Sequence, residues 1–208
     1  MINAPAVSLR GINKRFGAVL ANDDVSLTVA AGAVHGLVGE NGAGKSTLMS
    51  VLYGLYTVDS GRIEVFGRAA QIRNAHEAIS LGIGMVHQHF MLVDTLSALD
   101  NVMLGAEPHV LLHRAEKVVR ARLAALMQST GLVVALDALV ADLSVGDRQR
   151  LEILKALVRG ARILILDEPT AVLTPQEIDE LMDIMRSLKE QGTSIIFITH
   201  KLREVRAV

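Results

Sequence analysis

Apolar residues along this chain change period several times, and each change predicts a different element. Val25, Leu27 and Val29 alternate with other residues between turn signals, and Ile63 and Val65 repeat the pattern after Asp59-Ser60-Gly61. Period-two alternation bounded by glycine predicts half-buried strands in antiparallel pairing. Val34 to Val38, Ile163 to Leu166 and Ile195 to Ile198 are instead mostly apolar runs, the pattern of strands covered on both faces in a parallel sheet. Between the last two, Thr174-Pro175-Gln176-Glu177 sets an N-cap hydroxyl, a proline at the first helical position and a glutamate at N3, a capping box. Ile178, Leu181, Met182, Met185 and Leu188 then mark one face of a 3.6-residue period, and Gly192 supplies the stop. Strand, helix and strand in this order predict a βαβ unit with a right-handed crossover. Residues from about Phe90 to Gly160 carry helical patterns and no good strand, His113 to Met127 among them with a basic, alanine-rich face. They predict a helical insert on an α/β core.

Composition narrows the class. The 208 residues are half hydrophobic but only 3% aromatic, enough for a real core in one domain or at most two. Lys and Arg number 21 against 22 Asp and Glu, a net charge of −1, which disfavours a general polyanion-binding surface and leaves room for a local phosphate site. Without cysteine there is no disulfide framework, thiol nucleophile or Cys-based metal site. Met1 to Arg10 lacks the basic start and apolar stretch of a secretory signal. Leu132 to Ala141, the most apolar window, is interrupted by Asp137 and is too short to cross about 30 Å of hydrocarbon. The expectation is a soluble protein.

Chemistry concentrates first in Gly39-Glu40-Asn41-Gly42-Ala43-Gly44-Lys45-Ser46-Thr47, which satisfies G-x-x-x-x-G-K-[ST] between the run Val34 to Val38 and a helix-compatible stretch, Ser46 to Leu55. Glycines let successive amides point inward around β- and γ-phosphate oxygens, and the helix that follows adds its positive end. Lys45 supplies a point charge, Ser46 a hydroxyl for Mg²⁺, and Thr47 a donor for the α-phosphate. A glycine-rich turn that merely precedes a lysine is the plain alternative, and the flanking strand and helix disfavour it. The acidic counterpart is Ile163-Leu164-Ile165-Leu166-Asp167-Glu168. A carboxylate at the C-terminal end of a buried strand lies where ligands bind in open α/β sheets. Asp167 is placed to hold Mg²⁺, and Glu168 to polarise an attacking water. Alone, this segment reads as a strand ending in a solvated turn.

Phosphate loops serve kinases, GTPases, helicases and transport ATPases alike, and no Asn-Lys-x-Asp guanine-reading segment is present. Leu143-Ser144-Val145-Gly146-Asp147 before the helical run Leu151 to Val158 separates these options. A serine N-cap with a glycine in the first turn leaves amides open to an anion, although a plain capped helix reads the same way. Here the chain resembles the ATP-binding cassette (ABC) ATPase family. Leu143 to Asp147 looks like its LSGGQ signature, Gln88 matches the Q-loop glutamine, His200 the switch histidine, Pro169 to Thr174 the D-loop, and Phe16 the aromatic that stacks on adenine. The wording of Gly39-Glu40-Asn41, Met85 to Phe90, Leu151 to Leu157 and Pro169 to Pro175 is closest to the ATPases of simple-sugar and nucleoside uptake systems, which usually carry two cassettes on one chain. Because this chain ends soon after His200, a truncated first cassette is expected.

The resemblance implies an α/β P-loop NTPase core with a mostly parallel sheet, an antiparallel β subdomain and a helical insert. Residues 1–89 and 161–208 are assigned to the ATP-binding core with its β subdomain, and 90–160 to the helical subdomain with the signature. It implies ATP and Mg²⁺ as cofactors, with Phe16, Gly39, Asn41, Gly42, Ala43, Gly44, Lys45, Ser46 and Thr47 on the nucleotide and Ser46, Gln88 and Asp167 around the metal. Glu168 orients water and His200 fixes the geometry beside Lys45 and Gln88. Ser144 and Gly146 act on the nucleotide of a facing cassette, so one chain holds half of each site and hydrolyses ATP poorly alone. The implied partners are transmembrane permease subunits, a second cassette and, indirectly, a solute-binding protein, with no nucleic acid. The implied location is the cytoplasmic face of the plasma membrane. Val145 and Asp147 depart from the signature's glycine and glutamine, and Thr174 stands where the D-loop usually has aspartate.

The alternative is a soluble non-transport ABC ATPase of translation or DNA-repair type. Gln88 and Ser144 lie too close for a long coiled coil and lack sustained heptads, and the net charge disfavours an RNA-facing surface. A degenerate cassette that only binds nucleotide is disfavoured by Lys45, Asp167, Glu168 and His200. His87 and His89 flank Gln88 without a third ligand and read as ordinary surface or cap residues. Met182 and Met185 read as core filling, and Arg114, Lys117, Arg120 and Arg122 as a solvated face.

Overall fold

The computed structural model describes residues 4–104, 112–201 and 204, with the side chains of 112–115 left aside. In chain order its elements are β1 (Val7–Phe16), β2 (Val19–Val29), β3 (Val34–Val38), α1 (Lys45–Leu52), β4 (Ser60–Val65), β5 (Arg68–Ala70), α2 (Ala75–Ser80), β6 (Ile83–Val86), α3 (Ala98–Met103), α4 (Leu112–Thr130), α5 (Val145–Val158), β7 (Ile163–Asp167), α6 (Pro175–Glu190) and β8 (Ser194–Thr199). Among the described residues the strands form two sheets. One is antiparallel in order β2-β1-β4-β5, the other parallel in order β3-β8-β7-β6.

Alternation along the central parallel strands divides the core. Ile163, Ile165, Ile196 and Ile198 face one way, against α1 and the apolar face of the antiparallel sheet, where Val7, Leu9, Val29 and Ile63 are buried. Leu164, Leu166, Ile195 and Phe197 face the other way, onto α5, α6 and the helices between residues 98 and 130. β7 and β8 are buried at every position, as continuous apolar runs predict. β3 corrects that expectation. It lies at one edge of the described sheet, pairing only with β8, and is half-buried over most of its length, whereas β6 at the opposite edge is buried at every position, so an apolar run alone does not report how fully the adjoining layers cover it.

Helix boundaries follow the chemistry of their ends. α6 has the predicted capping box, with Thr174 and Glu177 exchanging bonds, and Gly192 follows it at φ 88°. α1 stops at Leu52 rather than reaching Leu55, because Gly54 takes φ 80°. Arg120 of α4, on the face expected to be solvated, is partly exposed and also carries ion pairs. It pairs with Glu116 at 2.9 Å and with Asp137 at 2.5 Å. Lys117 and Arg122 are exposed, and the side chain of Arg114 lies outside the described residues. No described helix is long and apolar enough to cross a membrane.

Candidate functional site

β3 delivers the chain into residues 39–44, and α1 begins at Lys45. Gly42 and Gly44 sit at φ 83° and 81°, left-handed backbone that glycine adopts without penalty. Gly44 also has no room for a side chain: a Cβ there would stand 2.2 Å from Ala21 O and 2.8 Å from Asn22 Nδ2. Asn22, buried in β2, donates to Gly44 O at 3.1 Å. The antiparallel sheet thus supports the loop from beneath. The Lys45 ammonium folds back into the loop and donates to Gly39 O at 2.8 Å and Glu40 O at 2.7 Å. Asn41, Gly42 and Ala43 are exposed, and Ala43 N donates to Glu40 O. First-turn amides of α1 around Ser46 and Thr47 have no intrahelical acceptor. With the lysine beside them, they make a concave donor set suited to an anion.

Parallel pairing places the acidic tip next to that set. Val38 is level with Thr199, and Asp167 with Ile198, so the loop, Asp167, Glu168 and His200 all leave the carboxyl edge of one sheet. Ser46 Oγ donates to Asp167 Oδ1 at 3.0 Å. Burial pushes the Asp167 carboxyl above the usual carboxylate range against the Ser46 bond, and the neighbouring Glu168 adds to the rise. A hydroxyl touching a desolvated carboxylate is an oxygen donor pair that suits a hard divalent cation, whose charge would relieve the burial cost.

Glu168 holds φ 46°, a conformation that costs a non-glycine residue about 1–2 kcal/mol. Its amide donates to Ile198 O at 3.1 Å, and its carboxylate approaches His200 Nδ1 at 3.7 Å. Gln88 leaves two residues after β6, whose Val86 is level with Leu166. It therefore reaches the same edge with an exposed side chain, and no bond joins it to Ser46 or Asp167 among the described residues. His87 packs edge-on to Tyr53, with burial lowering its pKa.

Phe16 ends β1 at the hairpin, 41% exposed, edge-on to Tyr56 at 4.9 Å, with Lys14 Nζ 5.3 Å from its ring centre. An exposed ring anchored by its edge leaves a face for stacking. Ser144 caps α5, accepting from Asp147 N at 3.0 Å. Gly146 N donates to Glu177 Oε1 at 3.2 Å, and a Cβ there would meet that oxygen at 2.6 Å. Bonds from Thr174 N and Oγ1 hold the Glu177 carboxyl below its ordinary range. Ser144 therefore bonds within its own helix and Gly146 to α6, and among the described residues neither bonds to the phosphate loop. Sequence reasoning did not single out Asn22 or Glu177 in these contacts. Asn22 carries no signal in a strand, whereas Glu177 was visible only as a helix cap.

Comparison with known proteins agrees with the fold. A family model described as ABC transporter matches residues 22–171. The nucleoside import ATP-binding protein NupA of Lactococcus lactis is 51% identical over all of this chain and 41% of its own length. The guanosine import ATP-binding protein NupO of Bacillus subtilis is 50% identical over 91% of this chain and 37% of its own length. A ribose import ATP-binding protein, RbsA 2 of Burkholderia cenocepacia, is 47% identical over 96% of this chain and 40% of its own. The chain spans about two fifths of the length of these curated relatives. A crystal structure of a nucleotide-free cassette from an ABC transporter superposes with a TM-score of 0.86 at 25% identity, covering 97% of this chain and 84% of that one. An ADP-conformation cassette superposes at 0.85 and 25%, covering 98% and 85%.

Proposed function

Because this chain belongs to the ABC transporter family, we propose that it is the ATP-binding and ATP-hydrolysing cassette of an importer for a small solute such as a simple sugar or nucleoside. The observation that carries the reading is the bond between Ser46 and Asp167, which joins the phosphate loop to the acidic strand tip at one sheet edge. The names of the relatives favour import over a translation or DNA-repair role.

In this reading Lys45 and the amides of Gly42, Gly44 and Ser46 receive the β- and γ-phosphates, with Gly39, Asn41 and Ala43 shaping the cradle. Thr47 donates to the α-phosphate and Phe16 stacks on the base. Ser46 and Asp167, with Gln88 beside them, would hold Mg²⁺, which supplies charge neutralisation on the phosphate oxygens. Glu168 accepts a proton from the water it orients, and His200, 3.7 Å away, keeps that carboxylate in place. Lys45 stabilises the charge that grows on the transferred phosphoryl group. Ser144 and Gly146, displayed away from their own loop, serve the nucleotide of a second cassette. Permease subunits at the cytoplasmic face of the membrane, fed by a solute-binding protein, take up the work; no nucleic acid takes part.

Hydrolysis by wild type and Glu168→Gln tests this. Turnover falls about a hundredfold or more in the variant, while nucleotide binding persists. In wild type the rate rises faster than linearly with protein concentration. A Glu168→Gln variant that turns over like wild type would overturn the assignment.

A further inference from the structure

Gln88 makes no side-chain bond among the described residues, so its place is set by the backbone on either side of it, β6 before it and residues 89–94 after it. Side chains of α3 and α5 hold the latter segment. Asn101, fully buried in α3, accepts from Val93 N at 2.7 Å and donates to Val93 O and Ser97 O at 3.0 Å. Arg148 of α5 meets Asp94 at 3.4 Å, an ion pair with a largely exposed carboxylate and hence a weak one. Lys155, two turns further along α5, donates from Nζ to Met91 O at 2.9 Å.

Lys155 stands in unusual surroundings. Its side chain is 17% exposed, and its ammonium lies 3.7 Å from Glu152 Oε1, whose side chain is 4% exposed and whose oxygen has no hydrogen-bond partner. Burial pushes the Lys155 ammonium down and the Glu152 carboxyl up, each opposed by the other's charge. Both line a cavity of about 300 Å³ with Tyr53, Met85, His87 and Met91. Packing therefore does not support Met91 from that side. A buried pair of this kind is poor evidence of stability, since an apolar pair would do as well or better. What the pair provides is a hold on the Met91 backbone, Lys155 at its carbonyl and Glu152 at its amide.

We propose that Lys155, with Glu152 compensating its charge, is the positioning residue for Gln88, fixing it relative to Ser46 and Asp167. The inference rests on the hydrolytic reading for its kinetic consequence, though not for its structural one. Because Lys155 belongs to α5, whose first turn carries Ser144 and Gly146, displacement of that helix is passed directly to Gln88. The 88–94 segment and the signature helix shift as one unit.

Lys155→Met keeps the stem and removes the donor. Amide hydrogen exchange at residues 90–94 is expected to quicken by about tenfold, the worth of one charge-assisted hydrogen bond, while residues 39–47 stay within about twofold. In ATP hydrolysis kcat falls by about tenfold with KM within about threefold, and Lys155→Arg restores at least half of the lost protection. Unchanged exchange at 90–94 overturns the proposal, as does equal loss in the Met and Arg variants. Should the unpaired Glu152 unfold Lys155→Met, the double variant Lys155→Met with Glu152→Leu removes both charges and both contacts with Met91, and exchange at 90–94 is then expected to quicken by about tenfold or more. If Glu168→Gln hydrolyses ATP like wild type, the hydrolytic reading fails, and the exchange data still decide the tether.

Discussion

Replacing Gly44 with alanine puts a methyl group 2.2 Å from the carbonyl oxygen of Ala21 and 2.8 Å from Asn22 Nδ2. Two costs follow. A non-glycine residue at φ 81° loses about 1–2 kcal/mol. Overpacking against a backbone carbonyl adds about 1–3 kcal/mol, because Ala21 lies within β2 and has little freedom to retreat. Gly42→Ala provides the internal control. Its φ is 83°, yet nothing lies within 4 Å of the new methyl, so only the first cost applies. Both changes restrict the unfolded chain equally, and that contribution cancels in the comparison. Gly44→Ala is therefore expected to be about 1–3 kcal/mol less stable than Gly42→Ala, a separation of about 0.3–1.5 M in urea midpoint at a slope of about 2–3 kcal/mol/M. Far-UV circular dichroism suits the measurement, since the chain has no tryptophan. Equal midpoints for the two variants would refute the claim that β2 presses on the phosphate loop.

Burial raises the Asp167 carboxyl pKa above its unfolded value, so its ionised form costs stability. That cost is complete above the folded pKa and vanishes below the unfolded one. Asp167→Asn should accordingly raise Tm at pH 7 to 8, with the gain shrinking as pH falls through the carboxylate range; a gain independent of pH would contradict the sign. Thr174→Ala removes the hydroxyl of the capping box and is expected to cost about 1 kcal/mol in urea melts, with loss beyond about 2 kcal/mol showing that Thr174 does more than cap.

Much of this arrangement was legible in the chain. Buried strands announce themselves as apolar runs, which is why Ile163 to Leu166 and Ile195 to Ile198 were visible, and the phosphate loop is written in consecutive residues. β1 was not, because Gly11 at φ 58° and the register shifts around it break the alternation that would mark a strand. β3 looked buried because a run of apolar side chains cannot report how fully the adjoining layers cover it, and the edge strand β6 is buried where β3 is not. Among site residues, those in short motifs could be placed, whereas Asn22 and Lys155 make their contacts across long sequence separations. Glu152 and Lys155 sit on a helix face where charge ordinarily means solvent. Only the packing of α5 on β6 reveals that they are enclosed.

The bond from Asn22 to Gly44 has a geometric consequence for selectivity. Val19, level with Phe16 across the hairpin, and Asn22 belong to the same strand, with a register shift between them. A strand paired along its length to β1 therefore sets the span between the aromatic ring and the anion cradle. It behaves as a ruler: a ligand engages both ends only if its ring and its charged tail match that fixed gauge.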